Sequence, residues 1–168
     1  MNNSIGLNSI RFIGLVLLQV LVLNHINLFS YINPFIYIIW VFLFPFRKNK
    51  SLLLIGSFLL GLSVDFFSDS GGVNAAATLF IAFVRLPILK TILRKSDFDF
   101  LLFNLRSIPF SKTFLYITTL TLIHHFIVFS LEYFSFNAFL SVFYNTIVTS
   151  IFTITLSVLG IVLFTKKK

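Results

Sequence analysis

Hydrophobic and polar positions in this chain do not alternate. They fall into long apolar blocks separated by short polar connections. Several blocks reach about 18 residues, enough for a helix to cross roughly 30 Å of hydrocarbon. The blocks predict six membrane-spanning helices, at roughly 9–27, 32–46, 51–68, 73–93, 113–131 and 138–164. A membrane β-barrel would show short alternating segments instead. The expected architecture is an all-α integral membrane protein, a compact bundle forming one polytopic domain over residues 1–168.

The punctuation within the blocks adds detail. Arg11 precedes the first apolar run as in a signal peptide. The run ends at Asn24-His25 without a small-residue cleavage site, so it reads as a retained helix. Gln19, the one strongly polar residue inside that helix, is expected to bond a neighbouring helix. The second block opens on Asn33-Pro34, a helix-start signal, and closes near Pro45, just before Arg47, Lys48 and Lys50. Tyr31, Tyr37 and Trp40 are candidate interface anchors, although Trp40 lies rather centrally. In the next two blocks, Ser57 and Gly61, then Gly72 and Ala76, stand four apart, and Ala75 to Ala77 follow the turn. Small residues at that spacing let helix backbones approach, so the third and fourth helices should pack closely. Pro87 should kink or end its helix about one turn earlier. The stretch 94–112 is too polar to span and too apolar for a plain linker. Two readings stand for it: a helix lying in the membrane interface, or a docking segment for a partner.

Composition agrees with the pattern. Only 11% of residues are charged, against about a quarter in a soluble domain, which excludes an ordinary water-soluble fold. The absence of cysteine excludes disulfides, thiolate metal sites and a cysteine nucleophile. A net charge of +8 would suggest nucleic acid in a soluble protein, but here the basic residues cluster in the connections. If both termini are cytoplasmic, twelve of the 13 basic residues fall on the cytoplasmic side, while Asp69 and Glu132 fall outside. Positive residues are retained in the cytoplasm, so that orientation is expected.

The thirteenth basic residue is Arg85, inside the fourth helix. With Asp65, near the end of the third, it marks a candidate functional site, because a charge in lipid needs a partner. Measured from the turn at 1.5 Å per residue, Asp65 lies about 8 Å deep and Arg85 about 20 Å deep, a poor match for a salt bridge. Arg85 either snorkels towards the cytoplasmic surface or faces the bundle and contacts another helix. Asp65 and Asp69, four apart, are expected to cap helix ends and line the turn rather than act as an acid–base pair. His124 and His125 are adjacent, so on a helix they point about 100° apart and do not readily share a metal. No nucleophilic triad, phosphate-binding loop or metal-ligand spacing is present in the sequence, so neither catalysis nor a cofactor is expected.

The central string LLLIGSFLLGLSVDFFSDSGGVNAAATLFIAFVRLPIL resembles the rod shape-determining protein MreD family. The resemblance rests on Gly61 and Asp65 in a Gly-x-x-x-Asp pattern, the Gly71-Gly72 turn, Ala75 to Ala77, and Arg85 with Pro87, between which Leu86 is inserted. The run from Asn33 to Phe46 also fits that family's second helix. The resemblance implies a six-helix protein of the bacterial inner membrane. It implies a non-catalytic role in the cell-wall elongation complex, beside an MreC-like protein, MreB-like actin, a RodA-like glycosyltransferase and its penicillin-binding partner. Gly61, Asp65, Gly71, Gly72, Ala76, Arg85 and Pro87 then become candidate helix-packing or partner-contact residues. The alternative class is the substrate-binding subunit of an energy-coupling-factor vitamin transporter, whose fold the MreD family is thought to share. Such subunits typically carry Ala-x-x-x-Ala on their first helix, and residues 9–27 contain no alanine. A membrane enzyme would have to use Asp65, Asp69 or the histidine pair.

Overall fold

A computed structural model describes residues 2–26, 32–45, 50–94 and 108–164. Helix α1 runs Asn2–Leu18, passes through a π-helical stretch Gln19–Leu23 and closes with a turn at Asn24–Ile26. A 3₁₀ turn, Ile36–Ile38, leads into the short helix α2, Ile39–Leu43. Helices α3, Lys50–Ser68, and α4, Val73–Leu93, form a tight hairpin. Helices α5, Phe110–Tyr133, and α6, Phe139–Phe164, form a second hairpin, and α4 packs on α5. Among the described residues, five helices are long and apolar enough to cross a membrane: α1 with its continuation to Ile26, α3, α4, α5 and α6. The chain is a multi-pass, all-α membrane protein.

Its outer surface is apolar, unlike that of a water-soluble domain, and polar side chains are buried among the apolar core. Leu21, Phe66, Phe83, Leu140 and Ile151 stand on the outer surface, while Gln19, Thr78, His124, His125 and Thr153 are wholly buried. Lipid tails are as apolar as leucine, so the exterior carries no penalty and the polar groups gain by meeting each other inside. The helix ends also separate the described charges. Lys50, Arg94 and Lys112 lie at one end of the bundle, Asp69 and Glu132 at the hairpin end.

The second expected helix, 32–46, is the main correction. Over 32–35 the chain is non-helical, and only Ile39–Leu43 is α-helical. Two prolines account for this. A residue before proline is pushed out of the helical region, which affects Asn33 ahead of Pro34 and Phe44 ahead of Pro45. Phe44 takes φ −63°, ψ 130°, and the helix ends there. The segment nevertheless traverses the bundle. It meets Gln19 at Pro34 and Ile36, then Asn8 at Trp40, eleven residues back along α1. At 1.5 Å per residue that is a descent of about 16 Å. Trp40 and Tyr37 are core residues, not interface anchors, at 5% and 0% exposure. Tyr31, Arg47 and Lys48 lie outside the described residues, as does most of the 94–112 connection.

Pro87 does not break α4, which runs on to Leu93 with Pro87 on its exposed face. The close approach of α3 and α4 is realised at Gly61. A Cβ there would stand 2.5 Å from both the Ala75 Cα and the Asn74 carbonyl oxygen. Both are backbone atoms, so a side chain would force the helices apart. Gly61→Ala should therefore cost about 1–3 kcal/mol. Gly14→Ala, where nothing lies within 4 Å, should leave thermal unfolding in detergent unchanged or slightly raised.

Candidate functional site

The site grows from the carboxylate of Asp65, which sits on α3 one helical turn after Gly61. Gly61 brings α3 against the start of α4, and Asp65 uses that proximity. Its Oδ2 accepts the Ala75 N–H at 2.7 Å and its Oδ1 accepts the Asn74 N–H at 2.9 Å. Oδ1 also accepts the Ser70 hydroxyl at 2.5 Å and the Asn74 side-chain amide at 3.0 Å. The first four N–H groups of a helix have no partner within it. Here Val73 N–H meets the Ser70 carbonyl, Asn74 and Ala75 meet Asp65, and Ala76 meets the Gly72 carbonyl. All four are satisfied, and the negative charge faces the positive end of the helix dipole. The expectation that Asp65 caps a helix holds. Asp69 occupies the turn itself, exposed and at φ 53°, followed by Gly71 and Gly72 at φ 65° and 95°.

Arg85 does the complementary task at the other end of the traversing segment. Its Nη1 donates to the Val41 carbonyl and its Nη2 to the Phe44 carbonyl at 3.0 Å. These carbonyls belong to the C-terminal turn of α2, where a cation meets the negative end of the dipole. The guanidinium also lies over the Phe44 ring, 5.8 Å from its centroid. Arg85 is 3% exposed, so of the two sequence readings the bundle-facing one is correct. Asp65 and Arg85 are thus both neutralised by backbone dipoles, each holding a different helix end.

Between them runs a buried polar chain that sequence reasoning did not assemble. The Asn74 amide nitrogen donates to Asp65, which as a carboxylate can only accept. The Asn74 Oδ1 therefore faces the Tyr37 hydroxyl, which donates to it at 2.9 Å. With its proton so used, the Tyr37 oxygen accepts from His124 Nε2 at 2.9 Å. Thr78 gives its proton to the Asn74 carbonyl at 2.6 Å and flanks the same junction. On the other histidine, Nδ1 lies 2.8 Å from the Thr121 carbonyl, so Nδ1 carries the proton. His125 Nε2 then accepts from the Thr153 hydroxyl at 3.0 Å, and Thr153 accepts the Phe35 N–H. Gln19, buried at the start of the π-helical stretch of α1, accepts the Ile36 N–H and donates to the Pro34 carbonyl. Its expected bond to a neighbouring helix is instead a bond to irregular backbone.

The remaining candidates divide. Ala76 is exposed, whereas its neighbours Ala75 and Ala77 are buried, and Ala75 is the one whose backbone approaches Gly61 of α3. Ala76 instead lines an open apolar groove of about 740 Å³ with Phe80, Phe126 and Phe143. Pro87 touches none of the polar chain named above. The sequence reading misses Asn74, Thr78 and Thr153 and takes Tyr37 for an interface anchor, although each is a polar residue within or beside an apolar block. Asn74 and Thr78 are even four apart, on one helical face. No group of three or more potential metal ligands occurs among the described residues.

Two expectations follow from this geometry. Nitrogen NMR should find His124 protonated on Nε2 and His125 on Nδ1; the opposite assignment would break the donor order traced from Asp65. Asp65→Asn should lower stability by about 2–3 kcal/mol, since it turns one acceptor into a donor facing N–H groups. Asp69→Asn, on the surface, should change it by less than about 0.5 kcal/mol.

No protein family, curated protein or solved structure matches this chain.

Proposed function

We propose that this chain is a non-catalytic membrane subunit of the bacterial cell-wall elongation complex, of the MreD type. It helps to maintain cell shape by holding peptidoglycan-synthesis proteins together. Its place is the inner membrane, with both termini in the cytoplasm. Its partners are an MreC-like protein, a RodA-like glycosyltransferase with its penicillin-binding partner, and MreB-like actin.

One observation carries the reading. Three of the residues that give the sequence its resemblance, Gly61, Asp65 and Arg85, are engaged in holding this chain's own backbone. Gly61 admits α4, Asp65 caps it, and Arg85 clamps α2. A catalytic carboxylate must be reached by its substrate, whereas Asp65 is buried and accepts four hydrogen bonds from its own chain, three on Oδ1 and one on Oδ2. The arrangement suits a rigid membrane scaffold. The separation of basic and acidic helix ends supports the orientation.

Depletion of the protein in its host, with cell width followed by microscopy, tests the proposal. Cells should widen or round before growth stops. Unchanged shape together with a new nutrient requirement would reject it and favour the vitamin-carrier class.

A further inference from the structure

The segment 32–45 differs from the other pieces that traverse the bundle in what holds its backbone. A long helix satisfies its own N–H and C=O groups, which is why helices can stand in lipid. This segment cannot. It is non-helical over 32–35, Pro34 has no N–H, and α2 is only five residues long. Its partners come from elsewhere in the chain. Gln19 of α1 takes the Pro34 carbonyl and the Ile36 N–H, and Thr153 of α6 takes the Phe35 N–H. Arg85 of α4 takes the carbonyls of Val41 and Phe44. Asn74 and His124 hold the Tyr37 hydroxyl. Its side chains are equally enclosed: Tyr37, Ile38, Val41 and Phe42 have no exposed surface. Irregular backbone at membrane depth is tolerated only where protein buries it.

We infer that this segment crosses the membrane only as part of the assembled bundle. Arg85 at one end, with Gln19 and Thr153 at the other, decides that the chain between α1 and α3 passes through the bilayer. The segment's own hydropathy does not. The inference holds whatever role the bundle serves. It has a consequence of parity. Gly6, near the start of α1, and Lys50, at the start of α3, are separated by two crossings if the segment traverses. They are separated by one if it does not. The two positions therefore share a face of the membrane in the first case and lie on opposite faces in the second, whichever helix inverts. In the folded bundle they share an end: the Asn24 amide bonds Ser68 where α1 and α3 finish, and Trp40 joins Asn8 near where α1 begins.

The chain contains no cysteine, so single reporters can be placed on an otherwise unchanged background. Gly6→Cys and Lys50→Cys both fall on exposed positions, and nothing lies within 4 Å of a Cβ at Gly6. Each is labelled with a membrane-impermeant maleimide in vesicles of known orientation. In the parent chain both reporters should label from the same face. With Arg85→Ala, most inserted molecules should label from opposite faces. Arg85→Lys keeps a cation able to reach one carbonyl, so its opposite-face fraction should be smaller. Same-face labelling in both variants, at parental levels of inserted protein, would overturn the inference. Opposite-face labelling in the parent chain would overturn it as well. If Arg85→Ala does not accumulate, Gln19→Leu and Arg85→Lys decide by the same criterion.

Discussion

The Asp65 carboxylate is the constraint on which the rest of the bundle depends. A buried charge is costly unless donors surround it, and its donors here are the first N–H groups of α4. That requires α3 and α4 to approach backbone to backbone, which only a residue without a Cβ permits at position 61. Glycine and aspartate one helical turn apart therefore act as one unit: the first allows the approach, and the second fills the helix terminus that the approach exposes. Through Asn74, the same carboxylate orients Tyr37 and His124. Its influence thus reaches α5 and the segment before α2.

Two opposite charges in one hairpin invite a salt bridge, and the bundle does otherwise. Pairing Asp65 with Arg85 would leave the start of α4 and the end of α2 with unpaired peptide groups inside the membrane, each costing several kcal/mol. Assigning one charge to each helix end satisfies the charges and the peptides together. The depth difference legible in the sequence already disfavoured the pair. What the sequence lacked was the identity of the alternative partners, because backbone carbonyls carry no sequence label.

The same logic explains the interior of the bundle. Elsewhere the long helices close their own hydrogen bonds, so their side chains can be apolar outside and small or hydroxylic inside. The segment 32–45 cannot, and the polar side chains that face it have the task of closing its backbone. Gln19, Thr153 and Arg85 are buried for that reason. The aromatic rings of Phe35, Tyr37 and His125 fill the space around these bonds, with the Phe35 and His125 centroids 5.1 Å apart.

The sequence by itself determined the class of this protein, because block length and charge scarcity report directly on the solvent the chain was built for. It located the α3–α4 hairpin, since small residues four apart can be read without coordinates, and it marked Asp65 and Arg85 as charges in need of partners. It misread 32–46 as a continuous helix. Hydropathy measures only whether side chains tolerate an apolar environment, and these do, inside protein rather than lipid. Whether a prolyl backbone there is helical depends on who supplies its hydrogen bonds, and those donors and acceptors lie up to 118 residues away. Only the tertiary structure brings Gln19, Arg85 and Thr153 to that backbone, and His124 and Asn74 to Tyr37. Such long-range pairings leave no periodicity, so tertiary packing alone decided them.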